Sequence, residues 1–166
     1  PLRGSAPAPA RPALGFQLDS AGRARVEAWA TARQLTCSVE ASGTALRCER
    51  TAPGPVGDLS IRDLYARFDA AGRLVALDLM SEGMDAETAA RRFESTRARL
   101  AAELGAPATS SGEATGAYLA DKPFRRAAVQ FRFADYAADL SATNLGLGGV
   151  VVREQYRSIP PMASGG

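Results

Sequence analysis

The chain has 166 residues, with 20 basic against 18 acidic side chains, a net charge of +2, two Cys and no His; that length suits one ordinary domain or two small repeats. The lack of His excludes Ser-His-Asp and Cys-His catalysis and HExxH zinc sites, and near-balanced charge is not the basic footprint of a nucleic-acid binder. No apolar run approaches the roughly 18 residues of a membrane-spanning helix, and Leu, Ile, Val and Phe number only 32 beside 34 Ala, so a modest core is expected.

Residues 1–13, PLRGSAPAPARPA, alternate Pro with small residues. They read as a Pro/Ala-rich disordered linker, either a free end or a spacer behind a membrane anchor. A first helix is expected over residues 20–34, with Ser20 as N-cap and Val26, Trp29, Ala30 and Arg33 at i, i+3, i+4 and i+7. Residues 36–40 and 44–51, rich in Thr, Val and Ser around Ser42-Gly43, read as a hairpin. The next hairpin is clearer. Leu64, Ala66 and Phe68 alternate with Tyr65 and Arg67, Asp69-Ala70-Ala71-Gly72 suits a tight turn, and Val75, Leu77 and Leu79 alternate on the return.

A second helix is expected over residues 85–104. Asp85 is placed to cap it, Ala89, Phe93, Thr96, Leu100 and Leu104 share one face, and Gly105 with Pro107 stops it. Strands are expected near 117–120, 126–134 and 149–158, with residues 135–148 as a long functional or mobile loop. The whole reads as α+β: helices packed on one face of an antiparallel sheet, in two tandem helix-plus-sheet units, 14–82 and 83–159, with a tail at 160–166.

Gly83-Met84-Asp85, Ala89 and Leu104-Gly105-Ala106-Pro107 resemble the Gly-Met-Thr…Val…Leu-Gly-x-Pro pattern of the BamE/SmpA-like superfamily. Phe68 to Leu74 resembles that family's central hairpin. Val26, Cys37 and Cys48 resemble the arrangement in its tandem-repeat form, typified by the β-lactamase inhibitory protein. There, a Cys after the helix pairs with one on the next strand. Asp85 stands where the pattern has Thr, and the second unit has no Cys pair. The resemblance implies an exported, non-catalytic protein-binding module of the bacterial envelope, an assembly accessory or an inhibitor.

From the residues themselves, Cys37 and Cys48, on strands joined by a Ser-Gly turn, are placed to face each other. A disulfide there implies an oxidising compartment. The rival readings are two buried free thiols or a redox pair, although the spacing is not CxxC. No metal set or cofactor fingerprint is present; Asp135, Asp139 and Asn144 lack the spacing of a calcium loop. If Val75, Leu77, Val129, Phe131, Val150 and Val152 face the helices, parity sends Tyr65, Arg67, Gln130, Arg132, Arg153, Gln155 and Arg157 outward. Such side chains are favoured at interfaces. They are the candidate partner-binding residues, for another protein of the periplasm or outer membrane. Contact with a membrane is expected only through an N-terminal lipid anchor, and none with nucleic acid. The alternative is a carboxylate-dependent hydrolase of an envelope polymer, its acid pair drawn from scattered Asp and Glu.

Overall fold

The computed structural model describes residues 3–51 and 61–161. Two-residue strands β1 (Pro12–Ala13) and β2 (Phe16–Gln17) pair near the N-terminus. Then come α1 (Arg23–Ala32), β3 (Thr36–Glu40), β4 (Ala45–Glu49), β5 (Ile61–Phe68) and β6 (Leu74–Met84). The rest is α2 (Ala86–Leu104), β7 (Thr109–Ser111), α3 (Gly116–Asp121), β8 (Arg126–Arg132), β9 (Tyr136–Asn144) and β10 (Val150–Ser158). Strands β3 to β10 form one sheet in the order β3-β4-β5-β6-β10-β9-β8-β7, antiparallel throughout. Among the described residues the fold is therefore α+β, with one large antiparallel sheet and three α-helices.

Period-two patterning separates the faces of this sheet. Leu64, Leu77, Leu79, Val152, Leu140 and Val129 are buried on one face, in one cluster with Val26 and Ala30 of α1, Phe93 and Leu100 of α2, and Leu119 of α3. Each large side chain so buried stabilises by about 1.5–3 kcal/mol. Helix α1 touches β3, β4 and β5, whereas α2 lies over β9 and β10 with α3 beside it. The α2 boundaries follow from chemistry. The Asp85 carboxylate accepts from the Thr88 N–H at 2.8 Å, and Gly105 takes φ 83°, which a side chain would strain. In the β5–β6 turn, Asp69 Oδ1 accepts from the Ala71 and Arg73 N–H groups while Gly72 adopts φ 77°.

Cys37 and Cys48 are directly opposed on β3 and β4 and joined by a disulfide, with S–S 2.03 Å. The bond crosses a hairpin of two five-residue strands, the pairing that places the two Cys side by side.

Several expectations need correction. Residues 117–120 are not a strand but part of α3, begun by Thr115 Oγ1 accepting from the Tyr118 N–H at 3.1 Å; a short apolar run does not distinguish the two by period alone. Residues 135–148 are not one long loop, since 136–144 form β9 between β8 and β10. Tyr136, Ala138, Leu140 and Ala142 alternate on the buried face, but Ala137 is buried as well and small Ala hides the signal. Val75 is only half-buried, and Leu74 goes inward in its place. A register shift between Arg67 and Phe68, opposite Ala76 and Leu74, reverses the parity there. Ser20 does not cap α1, whose N-cap is Gly22 without a side-chain bond.

Residues 3–13, expected as a disordered linker, run along the end of the sheet as a strap. The Gly4 N–H donates to Phe133 O, Ala134 N–H to Ala6 O, and Ala8 N–H to Asp135 Oδ1 at 2.8 Å. Arg11 pairs with both Asp19 and Asp135, and Tyr136 Oη donates to Pro12 O at 2.5 Å. Gly4 lies so close that an added Cβ would sit 2.2 Å from Arg132 O. Alternating Pro needs no partner for its missing N–H, which suits a strap held by the few remaining donors. Residues 1–2, 52–60 and 162–166 lie outside the described residues, and with them Asp58 and most of the expected tail.

Candidate functional site

The outer face of the sheet is built by the second parity of β4, β5, β6, β10, β9 and β8. It carries Arg47, Asp63, Tyr65, Arg67, Asp78, Arg153, Gln155, Arg157, Asp139, Gln130 and Arg132 at matching register positions. All seven side chains expected as partner contacts therefore belong to one surface. Their order along the strands follows from antiparallel pairing. Tyr65 opposes Asp78, Asp78 opposes Gln155, Gln155 opposes Asp139, and Asp139 opposes Gln130.

Lateral ion pairs tie this surface together. Arg153 makes a two-pronged contact with Asp78, Nε–Oδ1 3.0 Å and Nη2–Oδ2 2.5 Å, and Gln155 donates to the same carboxylate at 3.2 Å. The hydrogen bond from Arg153 to Asp78 raises the guanidinium pKa further, beyond what partial desolvation removes. Asp139 is shared by Arg132 at 2.6 Å and Arg157 at 3.6 Å. Arg47 lies 4.8 Å over the Tyr65 ring and 3.3 Å from Glu40. The pairs are partly wet: the side chains of Arg153 and Arg157 are 43 % and 41 % exposed. Arg132 differs at 8 %, its guanidinium donating to Phe131 O, Ala138 O and Asp139 Oδ1. It is a positioning residue of the face more than an accessible contact.

Two shallow depressions mark this surface. One of about 310 Å³ lies among Arg47, Asp63, Tyr65, Asp78, Met80 and Arg153, and one of about 150 Å³ lies beside Tyr65, Arg67, Gln155 and Arg157. Arg67, with Val75, also forms one wall of a larger cavity, about 820 Å³, beneath the strap and residues 158–161. Its carboxylates are Asp19, Asp69 and Asp135. For Asp135, desolvation pushes the pKa up, but the Ala8 N–H and Arg11 outweigh it, and the net shift is down. Asp69 is also lowered, chiefly by the Arg73 N–H. Both are ionised acceptors and not proton donors.

Sequence reasoning missed two features. The first is an apolar tip at the opposite end of the β9–β10 pair from the strap. Leu147 is fully exposed, Leu145 46 % and Phe124 75 % exposed, the last at φ 64° and bonded through its N–H to Asn144 O at 2.7 Å. Only Gly146-Leu147-Gly148-Gly149 hinted at it. The second is Glu154, 3 % exposed on the helix-facing side of β10, with Leu79 and Leu140 opposite it on the neighbouring strands. Its Oε1 accepts from Tyr156 Oη at 2.5 Å, and Arg99 of α2 stands 3.6 Å away. Its parity was legible, since it alternates with Val152 and Tyr156.

Among the described residues there is no cluster of His, Cys, Asp and Glu fit to hold a metal ion, and no helix is long and apolar enough to cross a membrane. No protein-family model, no curated protein and no solved structure matches the chain.

Proposed function

We propose that the chain is an exported, non-catalytic protein-binding module that docks its partner on the outer face of the sheet. The observation that carries this reading is the outer face itself: Tyr65, Arg67, Arg153, Gln155 and Arg157, side by side, charged and partly wet. The Arg153 guanidinium and the Gln155 amide are already oriented by Asp78, and the Arg157 guanidinium by Asp139. Oriented Arg beside Tyr gives a partner hydrogen bonds and ring contacts with little further ordering. The exposed Leu145 and Leu147 supply an apolar contact at the end of β9, where a longer docking loop was expected.

The Cys37–Cys48 bond supports export, because such bonds persist in oxidising compartments. The resemblance to the BamE/SmpA-like superfamily points the same way, toward the periplasm or outer membrane with a lipid anchor as its tether. The mirrored strand order, β3 to β6 against β10 to β7, supports two tandem helix-plus-sheet units. The hydrolase alternative calls for converging carboxylates, one of them with a raised pKa; the ionised state of Asp69 and Asp135 favours binding over that chemistry.

The test is site-specific photocrosslinking in cells. A photoreactive residue at Tyr65 or Gln155 is expected to trap one discrete partner, and the same residue at Ser95 on α2 is not. Adducts from Ser95 alone would overturn the assignment.

A further inference from the structure

The two edges of the sheet differ. At one end β7 is a short strand of Thr and Ser, three residues long, with no apolar side chain. At the other end β3 is a five-residue strand whose register with β4 runs without a bulge. Among the described residues nothing pairs with its far side. Short length, Lys, Pro and bulges are the usual devices that keep an edge from pairing, and β3 has no Lys, Pro or bulge. Its one charge, Glu40, stands at the end of the strand with Arg47 at 3.3 Å, and Val39 is 50 % exposed.

The bonds of β4 determine which backbone groups of β3 face outward. Thr44 O accepts from the Phe68 N–H at 2.8 Å, and the Arg50 N–H donates to Arg62 O at 2.9 Å. Residues 44, 46, 48 and 50 therefore direct their backbone groups to β5, and Ala45, Arg47 and Glu49 direct theirs to β3. Those three lie opposite Glu40, Ser38 and Thr36. Cys37 and Val39 are left with N–H and C=O pointing away from the sheet. The Cα atoms of Cys37 and Cys48 are 4.0 Å apart, the close spacing of a pair that exchanges no ladder bonds. The disulfide fastens this edge to β4, so an added strand meets backbone that is already ordered.

We infer that the edge pairs with a second copy of the chain, β3 running antiparallel to the partner's β3 about a two-fold axis at Ser38. In that register Cys37 of each copy lies opposite Val39 of the other, and every outward N–H meets an outward carbonyl. An axis at Cys37 would set Val39 against Leu35, whose N–H already donates to Ala30 O. An axis at Val39 would set Cys37 against Ala41, whose carbonyl already accepts from the Thr44 N–H. With the axis at Ser38, Glu40 falls opposite Thr36, so no like charges meet, and a net charge of +2 puts little repulsion between copies. The contact is small, so the dimer is weak and reversible. Both outer faces stay open, and the pairing does not depend on the partner proposed there.

Sedimentation equilibrium from micromolar to millimolar protein is expected to show monomer–dimer exchange. Val39→Lys places a charge on the edge, and Val39→Pro removes an outward N–H. Each should weaken association by roughly tenfold or more. Val39 is half exposed and its N–H faces away from β4, so neither change threatens the fold; melting temperatures are recorded alongside. The register is read separately. Ser38→Cys treated with diamide should give a dimer joined through position 38, since a pair at the axis lies within disulfide reach. Thr36→Cys, whose counterpart stands at the far end of the partner strand, should not. The inference is overturned if the chain is monomeric at every concentration or if either Val39 variant leaves association unchanged. Crosslinking of Thr36→Cys as readily as Ser38→Cys would overturn it too.

Discussion

The two sides of the sheet handle charge in opposite ways. Outside, Asp78 collects Arg153 and Gln155 and Asp139 collects Arg132 and Arg157, and water still reaches the pairs of Arg153 and Arg157. Inside, one carboxylate, Glu154, is set among Leu79, Leu140, Val152 and the Tyr156 ring, with a hydroxyl as its close partner. Wet ion pairs add little to stability, and a buried charge adds less than the apolar side chain that would replace it. Neither arrangement is therefore explained by the need to fold. What folds the chain is the apolar layer between α1, α2, α3 and the sheet, together with the disulfide at the β3–β4 end.

That contrast breaks most visibly in the apolar layer. Phe131→Ala, at a position with no exposure, should cost about 3–5 kcal/mol by chemical denaturation. Removing both Cys37 and Cys48 by substitution with Ala should cost roughly 3 kcal/mol for a loop of this size, and the same loss should follow from reduction of the native protein. Replacing Glu154 and its hydroxyl partner together, Glu154→Leu with Tyr156→Phe, should leave stability unchanged or raise it by as much as about 1–4 kcal/mol. A loss above about 2 kcal/mol would mean that the carboxylate is structural after all.

Smaller effects are expected at the margins. The strap depends on Asp135, whose pKa is lower folded than unfolded. Its contribution is complete above the ordinary carboxylate pKa and is lost as pH falls through the lowered native value. Amide exchange at residues 4–8 should therefore rise in acid before the rest of the chain responds, and Gly4→Ala should produce the same change at neutral pH. Least of all, Arg153→Ala should cost only about 0.2–1 kcal/mol and less in high salt.

The reach of the sequence follows the size of its side chains. Helix α2 was legible because Phe93, Leu100 and Leu104 recur at the helical period between Asp85 and Gly105. The β5–β6 hairpin was legible from Leu64, Leu77 and the Asp69–Gly72 turn. Strand β9 was not: with Ala at 137, 138 and 142, its alternation carries almost no contrast in hydrophobicity, and only the paired strands on either side hold it in place. The same short-range blindness made α3 look like a strand and left the register shift beside Val75 unseen. Of the outer face, parity identified the seven residues, while the burial of the Arg132 side chain required knowing that β9 lies beside it and supplies Ala138 O and Asp139. Glu154 was overlooked although its alternation with Val152 and Tyr156 places it inward, because a carboxylate at such a position is ordinarily read as solvated.

The assignment of the outer face is tested most directly by measuring the affinity of the crosslinked partner for two charge-reversed variants. Arg153→Glu with Arg157→Glu places like charges against Asp78 and Asp139 on the outer face, whereas Arg99→Glu alters only the helix side. Binding abolished by the first and kept by the second is the predicted result. Binding that survives the first and is lost with the second would contradict it.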